Sequence, residues 1–201
     1  MVTHSIYVKN QTQNKALPSG AKDGINIESN GDVTFVLHAP NKTDVFLIGE
    51  FNNWTYNNEY QLFQDGERFW LNVQDLDPNY NYAYQYRVDG NIDIADPHSS
   101  VILDPWNDED IATATYPNLK TYPEGAEGLV SLVYLNKPSF AWTDDSFQPT
   151  ENEKAVIYEM LIRDFTEEGS YQAAIEKLDY LVELGITAIE LMPINEFEGN
   201  D

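Results

Sequence analysis

Apolar and polar positions alternate with two different rhythms along this 201-residue chain. Between residues 24 and about 116 the rhythm is short and close to period two, cut by turn residues. Segments 25–28 and 33–37 flank Asn30-Gly31, a strong short-range hairpin signal. Segments 45–48 and 60–63 follow, and Asp65-Gly66 predicts a second hairpin into 68–73. The stretch 82–88 alternates cleanly, with Tyr82, Tyr84, Tyr86 and Val88 on one face and Ala83, Gln85 and Arg87 on the other, before Asp89-Gly90 turns the chain. Short strands with regular turn signals predict an antiparallel β-sandwich, Ig-like in architecture. A segment at 130–135 reads as one more strand, either closing the sandwich or crossing to the next domain.

The second rhythm begins near residue 155. Two apolar runs of strand length, 156–162 and 186–192, bracket Tyr171, Ala174, Ile175, Leu178, Leu181 and Val182, which share one face of a helix. Ser170 is placed as its N-cap and Gly185 where it stops. Strand, helix and strand of this length predict a βαβ unit with parallel strands. One such unit cannot cover both faces of its own sheet, so it reads as the truncated start of a larger domain. The expected organisation is an irregular lead-in over 1–24 with a short strand at 6–8, a sandwich over 25–135, an acidic linker over 136–154, and the βαβ over 155–201. The fold class is mainly β.

Composition narrows the functional classes. A net charge of −23, with 11 Lys+Arg against 34 Asp+Glu, argues against a nucleic-acid or anionic-membrane partner. With no cysteine there is no disulfide framework, zinc-thiolate site or thiol nucleophile. No run reaches the length of a transmembrane helix, the start lacks the pattern of a signal peptide, and the compartment stays open. Glycine loops for phosphate, serine elbows and paired metal-binding histidines are all missing from the sequence.

Two stretches carry a family resemblance. Phe35-Val-Leu-His-Ala-Pro40, Val45-Phe-Leu-Ile-Gly-Glu-Phe-Asn-Asn-Trp54, Phe69-Trp70, Tyr84-Gln-Tyr-Arg-Val-Asp-Gly90 and Asp96-Pro97 resemble the β-sandwich module that precedes the catalytic barrel of starch- and glycogen-acting enzymes. Val156 to Thr166 and Leu178 to Pro193 resemble the first strand, first helix and second strand of the α-amylase superfamily barrel. The resemblance implies the N-terminal part of an enzyme hydrolysing or rearranging α-glucosidic bonds, with an α-glucan polysaccharide or oligosaccharide as partner. The family's catalytic aspartate, glutamate and second aspartate lie on the fourth, fifth and seventh barrel strands, so no catalytic residue is assigned and this chain alone is expected to be inactive. No cofactor or metal is assigned, calcium being an option for a full-length enzyme only. The alternative is a non-catalytic glucan-binding or structural sandwich. Exposed barrel strands leave dimerisation open.

By the same resemblance Trp54 is the candidate sugar platform, with Asn53 and Asn52 beside it, and Gln85 stands where glycan-binding members carry a lysine. A second tryptophan of those members is replaced by Ile92, which makes the platform one-sided. Packing is the competing role for Trp54 and the default for Trp70. His38 is read as structural. Glu159 and Glu190 sit inside neighbouring strands, away from the strand ends where barrel catalysis occurs, and are read as a structural polar pair. Asp104, Asp108, Glu109 and Asp110 lack the spacing that wraps one calcium ion. Asn195, Glu196 and Glu198 follow the last strand, where a substrate contact or a frayed tail is expected.

Overall fold

The computed structural model describes residues 9–113, 116–137, 140–144 and 146–194. The chain divides into two compact units, Met1–Pro138 and Ser139–Asp201. The short strand expected at 6–8 and the tail residues Asn195, Glu196 and Glu198 lie outside the described residues.

The first unit is an antiparallel sandwich. One sheet has the order β1 (Gly24–Ile27), β2 (Val33–His38), β5 (Arg68–Val73), β4 (Phe63–Asp65). The other runs β3 (Val45–Gly49), β6 (Tyr82–Val88), β9 (Val130–Val133), β8 (Ile102–Leu103), with β7 (Ile92–Ile94) also paired to β6. Both turn signals produce hairpins: β1 pairs β2 across Asn30-Gly31, and β4 pairs β5 across Asp65-Gly66. The period-two face of β6 points inward, where Tyr84, Tyr86 and Val88 join Phe35, Leu47 and Phe69 in one buried core.

One expectation changes, one alternative is resolved, and two strands are added. Residues 58–60 form a 3₁₀ turn in place of a strand start, because the Asn57 side chain accepts a hydrogen bond from Glu59 N and caps it. The segment at 130–135 closes the second sheet, and its strand ends at Val133. The short strands β7 and β8 carry too few residues for a periodic signal.

Both outer faces of the sandwich are also covered. On the first sheet the lead-in runs beside β4: Lys15 N donates to Gln64 O (3.0 Å) and Gln64 N to Gln13 O (2.9 Å). Trp70 points outward there, and its indole N–H donates to Lys15 O at 2.9 Å. The Lys15 ammonium lies 4.9 Å from the Trp70 ring centroid and 4.5 Å from that of Phe63. This lead-in forms only an isolated bridge, Asn14 to Gln64, but is bonded like an edge strand, so it shields the edge of β4. On the second sheet, Ala83, Leu103, Val130 and Leu132 form a smaller buried cluster outside the main core.

Between the sheets sits one buried carboxylate. Asp96 accepts from the hydroxyls of Tyr84 (2.7 Å) and Tyr86 (3.3 Å), and from His98 N at 2.8 Å. Its own N–H donates to Ser131 Oγ at 2.7 Å. Burial, reinforced by neighbouring charge, drives both tyrosine pKa values well above normal, so the hydroxyls stay protonated donors. This network ties three segments together, β6, residues 96–98 and β9, in the core, where a ligand has no access.

In the second unit, β10 (Ile157–Met160) and β11 (Ala188–Leu191) pair in parallel. Between them a short helix α1 (Ile162–Phe165) comes first, and the single helix expected from Ser170 to Gly185 is two short ones, α2 (Tyr171–Ile175) and α3 (Leu178–Glu183). Ser170 caps α2 by accepting from Ala173 N. The break follows from a switch to an i→i−3 bond, Lys177 N to Ala174 O. Gly185 stops α3 in the left-handed region at φ +83°. Ala174 and Leu181 bury against Met160, whereas Ile175, Val182, Ile157, Ile189 and Leu191 remain exposed.

Candidate functional site

The candidate platform is built by the turn after β3. Gly49 is needed for close approach, since a Cβ there would stand 2.5 Å from the Ala83 carbonyl oxygen. A 3₁₀ turn follows at Glu50–Asn52. The buried Asn52 amide locks it by accepting from Gly49 N (3.0 Å) and donating to Leu47 O (3.0 Å). Asn53 and Trp54 then both enter the left-handed region, at φ 52° and 55°. Asparagine tolerates that conformation, but tryptophan there is strained by about 1–2 kcal/mol.

What holds Trp54 is packing. Its half-buried indole joins the outer cluster of the second sheet with Leu119, Tyr122 and Ala126, which come from the loop after β8. Gly125 lies against it so closely that a Cβ would meet Trp54 Cδ1 at 3.3 Å, and its φ of +92° excludes most side chains as well. The loop is anchored around this contact. Gln85, 2% exposed, donates its amide to Glu127 O (2.7 Å) and Leu129 O (2.8 Å). The Tyr122 hydroxyl donates to Gly128 O at 2.7 Å. Tyr116 and Tyr134 meet hydroxyl to hydroxyl at 3.3 Å, and burial, together with this bond, pushes Tyr134 up to about 12.

The structure thus brings Trp54 and Gln85 under one loop and leaves Asn53 outside it, exposed. Both amide hydrogens of Gln85 are committed to the loop, so this side chain has none left for a ligand. Trp70 is buried beneath the lead-in. His38 is exposed beside Glu67, 3.4 Å away. Glu159 and Glu190 are register partners across β10 and β11, and both are exposed. In the acidic loop the carboxylates cap their own chain: Asp104 accepts from Trp106 N and Asn107 Nδ2, and Asp108 from Asp104 N. Burial raises the Asp108 pKa. Among the described residues no helix is long and apolar enough to cross a membrane, and no three His, Cys, Asp or Glu side chains are grouped to hold a metal ion.

A second constellation, not expected from the sequence, lies at one rim of the sandwich. Glu50 Oε1 accepts from the Tyr80 hydroxyl (2.8 Å) and pairs with the Lys120 ammonium (3.1 Å), while Glu50 Oε2 accepts from Ala83 N (2.8 Å). Lys120 also donates to the Tyr80 hydroxyl at 3.0 Å and sits 4.2 Å from that ring's centroid. Burial lowers the Lys120 pKa, but the bonds to Tyr80 and Glu50 outweigh it and hold the pKa above its ordinary value. Tyr80 lies 30 positions after Glu50 and Lys120 another 40 beyond, so no spacing announces them.

Residues 22–107 match carbohydrate-binding module 48 (isoamylase N-terminal domain). Over 176 residues the chain is 31% identical to malto-oligosyltrehalose trehalohydrolase of Saccharolobus solfataricus, covering 88% of this chain and 26% of that protein. It is 34% identical over 130 residues to chloroplastic isoamylase 1 of Arabidopsis thaliana, covering 57% of this chain and 16% of that one. Among solved structures, the pullulanase SAP of Group B Streptococcus in complex with maltotetraose superposes with a TM-score of 0.56 at 25% identity, over 89% of this chain and 24% of the pullulanase. The chain therefore spans about a quarter or less of the length of these relatives.

Proposed function

Because residues 22–107 match carbohydrate-binding module 48 (isoamylase N-terminal domain), we propose that the chain serves as the N-terminal part of an α-amylase-superfamily enzyme cleaving or rearranging α-glucosidic bonds in starch- or glycogen-type glucans. The observation that carries this reading is the order of parts. An antiparallel sandwich is followed in one chain by a parallel strand–helix–strand unit, and likeness to the trehalohydrolase extends over 88% of the chain. The uncovered apolar side chains Ile157, Ile189 and Leu191 support it, since further β/α units of a barrel would bury them. In this reading Glu159 and Glu190, which stand mid-strand in β10 and β11, take no catalytic role. Its open strand faces make self-association of the isolated chain an expected outcome, readable by sedimentation.

In this reading the sandwich is chiefly a structural partner of the catalytic part, and Trp54 fastens the loop over the second sheet. The enzyme reading is tested by reducing-end release from amylopectin and pullulan. The gene's full product should release sugar and the 201-residue chain should release none. Sugar release by the 201-residue chain, or none by a folded full product, would refute it.

A further inference from the structure

The rim around Tyr80 continues as a row of aromatic rings. Tyr80 and Tyr82 meet edge to face at 4.8 Å, Tyr82 lies 6.1 Å from Phe51, and Phe51 stacks on Tyr60 at 5.5 Å. Tyr60, Phe51 and Tyr82 are half-buried against the main core, and Tyr80 stands 41% exposed at the outer end. The rim's polar groups are held rigidly. Besides the Glu50–Tyr80–Lys120 cluster, the Tyr82 hydroxyl accepts from Asp77 N at 2.9 Å, and Asp77 Oδ1 accepts from Asn79 N at 2.9 Å.

We infer that this rim, rather than Trp54, is where the sandwich touches a neutral α-glucan chain, a reading that rests on the function proposed above. An aromatic ring presents a flat apolar surface that suits the C–H face of a glucosyl ring, and Tyr80 offers one at the surface. Sugar hydroxyls both donate and accept. Glu50 and Lys120 supply an acceptor and a donor whose charges already compensate each other at 3.1 Å, an arrangement suited to an uncharged ligand. A chain of net charge −23 repels anions but not a neutral polyol. The side chains sit on a turn, a strand and a loop cross-linked by short hydrogen bonds, so little ordering cost accompanies binding. Trp54 lacks this freedom, because it packs on the outer cluster of the second sheet with Gly125 lying against its indole.

The test is a titration of the isotopically labelled 201-residue chain with maltotetraose, following backbone amides, alongside a Tyr80→Leu variant. The amides of Glu50, Lys120 and residues 79–83 should shift together, and Tyr80→Leu should weaken binding by roughly tenfold, the equivalent of one lost stacking contact. The unfolding temperature of the variant, which keeps apolar bulk, separates lost binding from lost fold. Shifts clustered on Asn53, Trp54 and residues 122–126 would overturn the inference. So would unchanged affinity in a folded Tyr80→Leu, or a folded chain showing no shifts at high maltotetraose. A full gene product that cleaves α-glucans while this rim stays silent would defeat the inference and leave the enzyme reading standing.

Discussion

Replacing Trp54 by alanine separates the two roles that this residue can have. Removing a fully buried tryptophan side chain costs about 3–5 kcal/mol. The indole is half-buried, packed against the cluster of Ala83, Leu103, Val130 and Leu132 that the loop residues Leu119, Tyr122 and Ala126 also cover, so the expected loss is about 2–3 kcal/mol. For a unit of this size that lowers the melting temperature by roughly 10 °C. The backbone at Trp54 adds a second signature. At φ 55° alanine keeps the left-handed strain and glycine removes it, a gain of about 1–2 kcal/mol offset by about 0.5–1 kcal/mol of extra chain entropy. Trp54→Gly should therefore be no less stable than Trp54→Ala, against the usual order for the two residues. The assay is urea and thermal unfolding of the sandwich transition, paired with mobility in a glycogen-containing gel. Both variants should melt earlier, with gel mobility relative to the parent unchanged. An unaltered melting temperature together with lost glycogen retardation would refute the reasoning and make Trp54 an open platform.

Gln85→Leu removes the donors to Glu127 O and Leu129 O; it should cost about 2 kcal/mol and speed amide exchange at residues 122–129, and unchanged exchange there would contradict the anchoring role. Deleting residues 1–17 strips the bonds from Lys15 and Gln13 to Gln64 and leaves the Trp70 indole N–H without Lys15 O, which should cost about 3 kcal/mol and promote edge-to-edge association, both measurable by calorimetry and light scattering. Stability should also fall in acid. The Arg68 guanidinium beside Asp23 and the Thr43 backbone N–H beside Asp89 hold both carboxyls below their ordinary pKa. Their contribution is present above the unfolded value of about 3.9 and is lost as pH drops through the lower folded values. Asp89→Asn should flatten the decline in melting temperature below about pH 4, and an identical pH profile would remove Asp89 from the account.

Local signals carried most of the fold. Asn30-Gly31 and Asp65-Gly66 produced their hairpins because each turn supplies a glycine at positive φ, 91° and 60°. The alternation over Tyr82–Val88 was readable because its inner face meets only core. The helix between β10 and β11 was legible in its cap and its end, but the bond switch at Lys177 splits it without any glycine or proline to announce the break. The fate of the site was a different matter. Whether Trp54 is a platform or a packing residue stays open in the sequence until Gly125, seventy-one positions later, is seen lying against it. Gln85 sits on the polar side of an alternating strand, and its burial depends on a Pro- and Gly-rich loop whose path no periodicity encodes. Tyr80, Glu50 and Lys120 likewise meet only through tertiary folding.

The most direct test of the central claim is activity of the gene's full product on amylopectin, pullulan and malto-oligosaccharides, followed by reducing-end release and product chain length. The account predicts that it shortens or rearranges at least one of these α-glucans, with the module of residues 22–107 folded at its N-terminal side. A folded full product that leaves every one of them unchanged would contradict it.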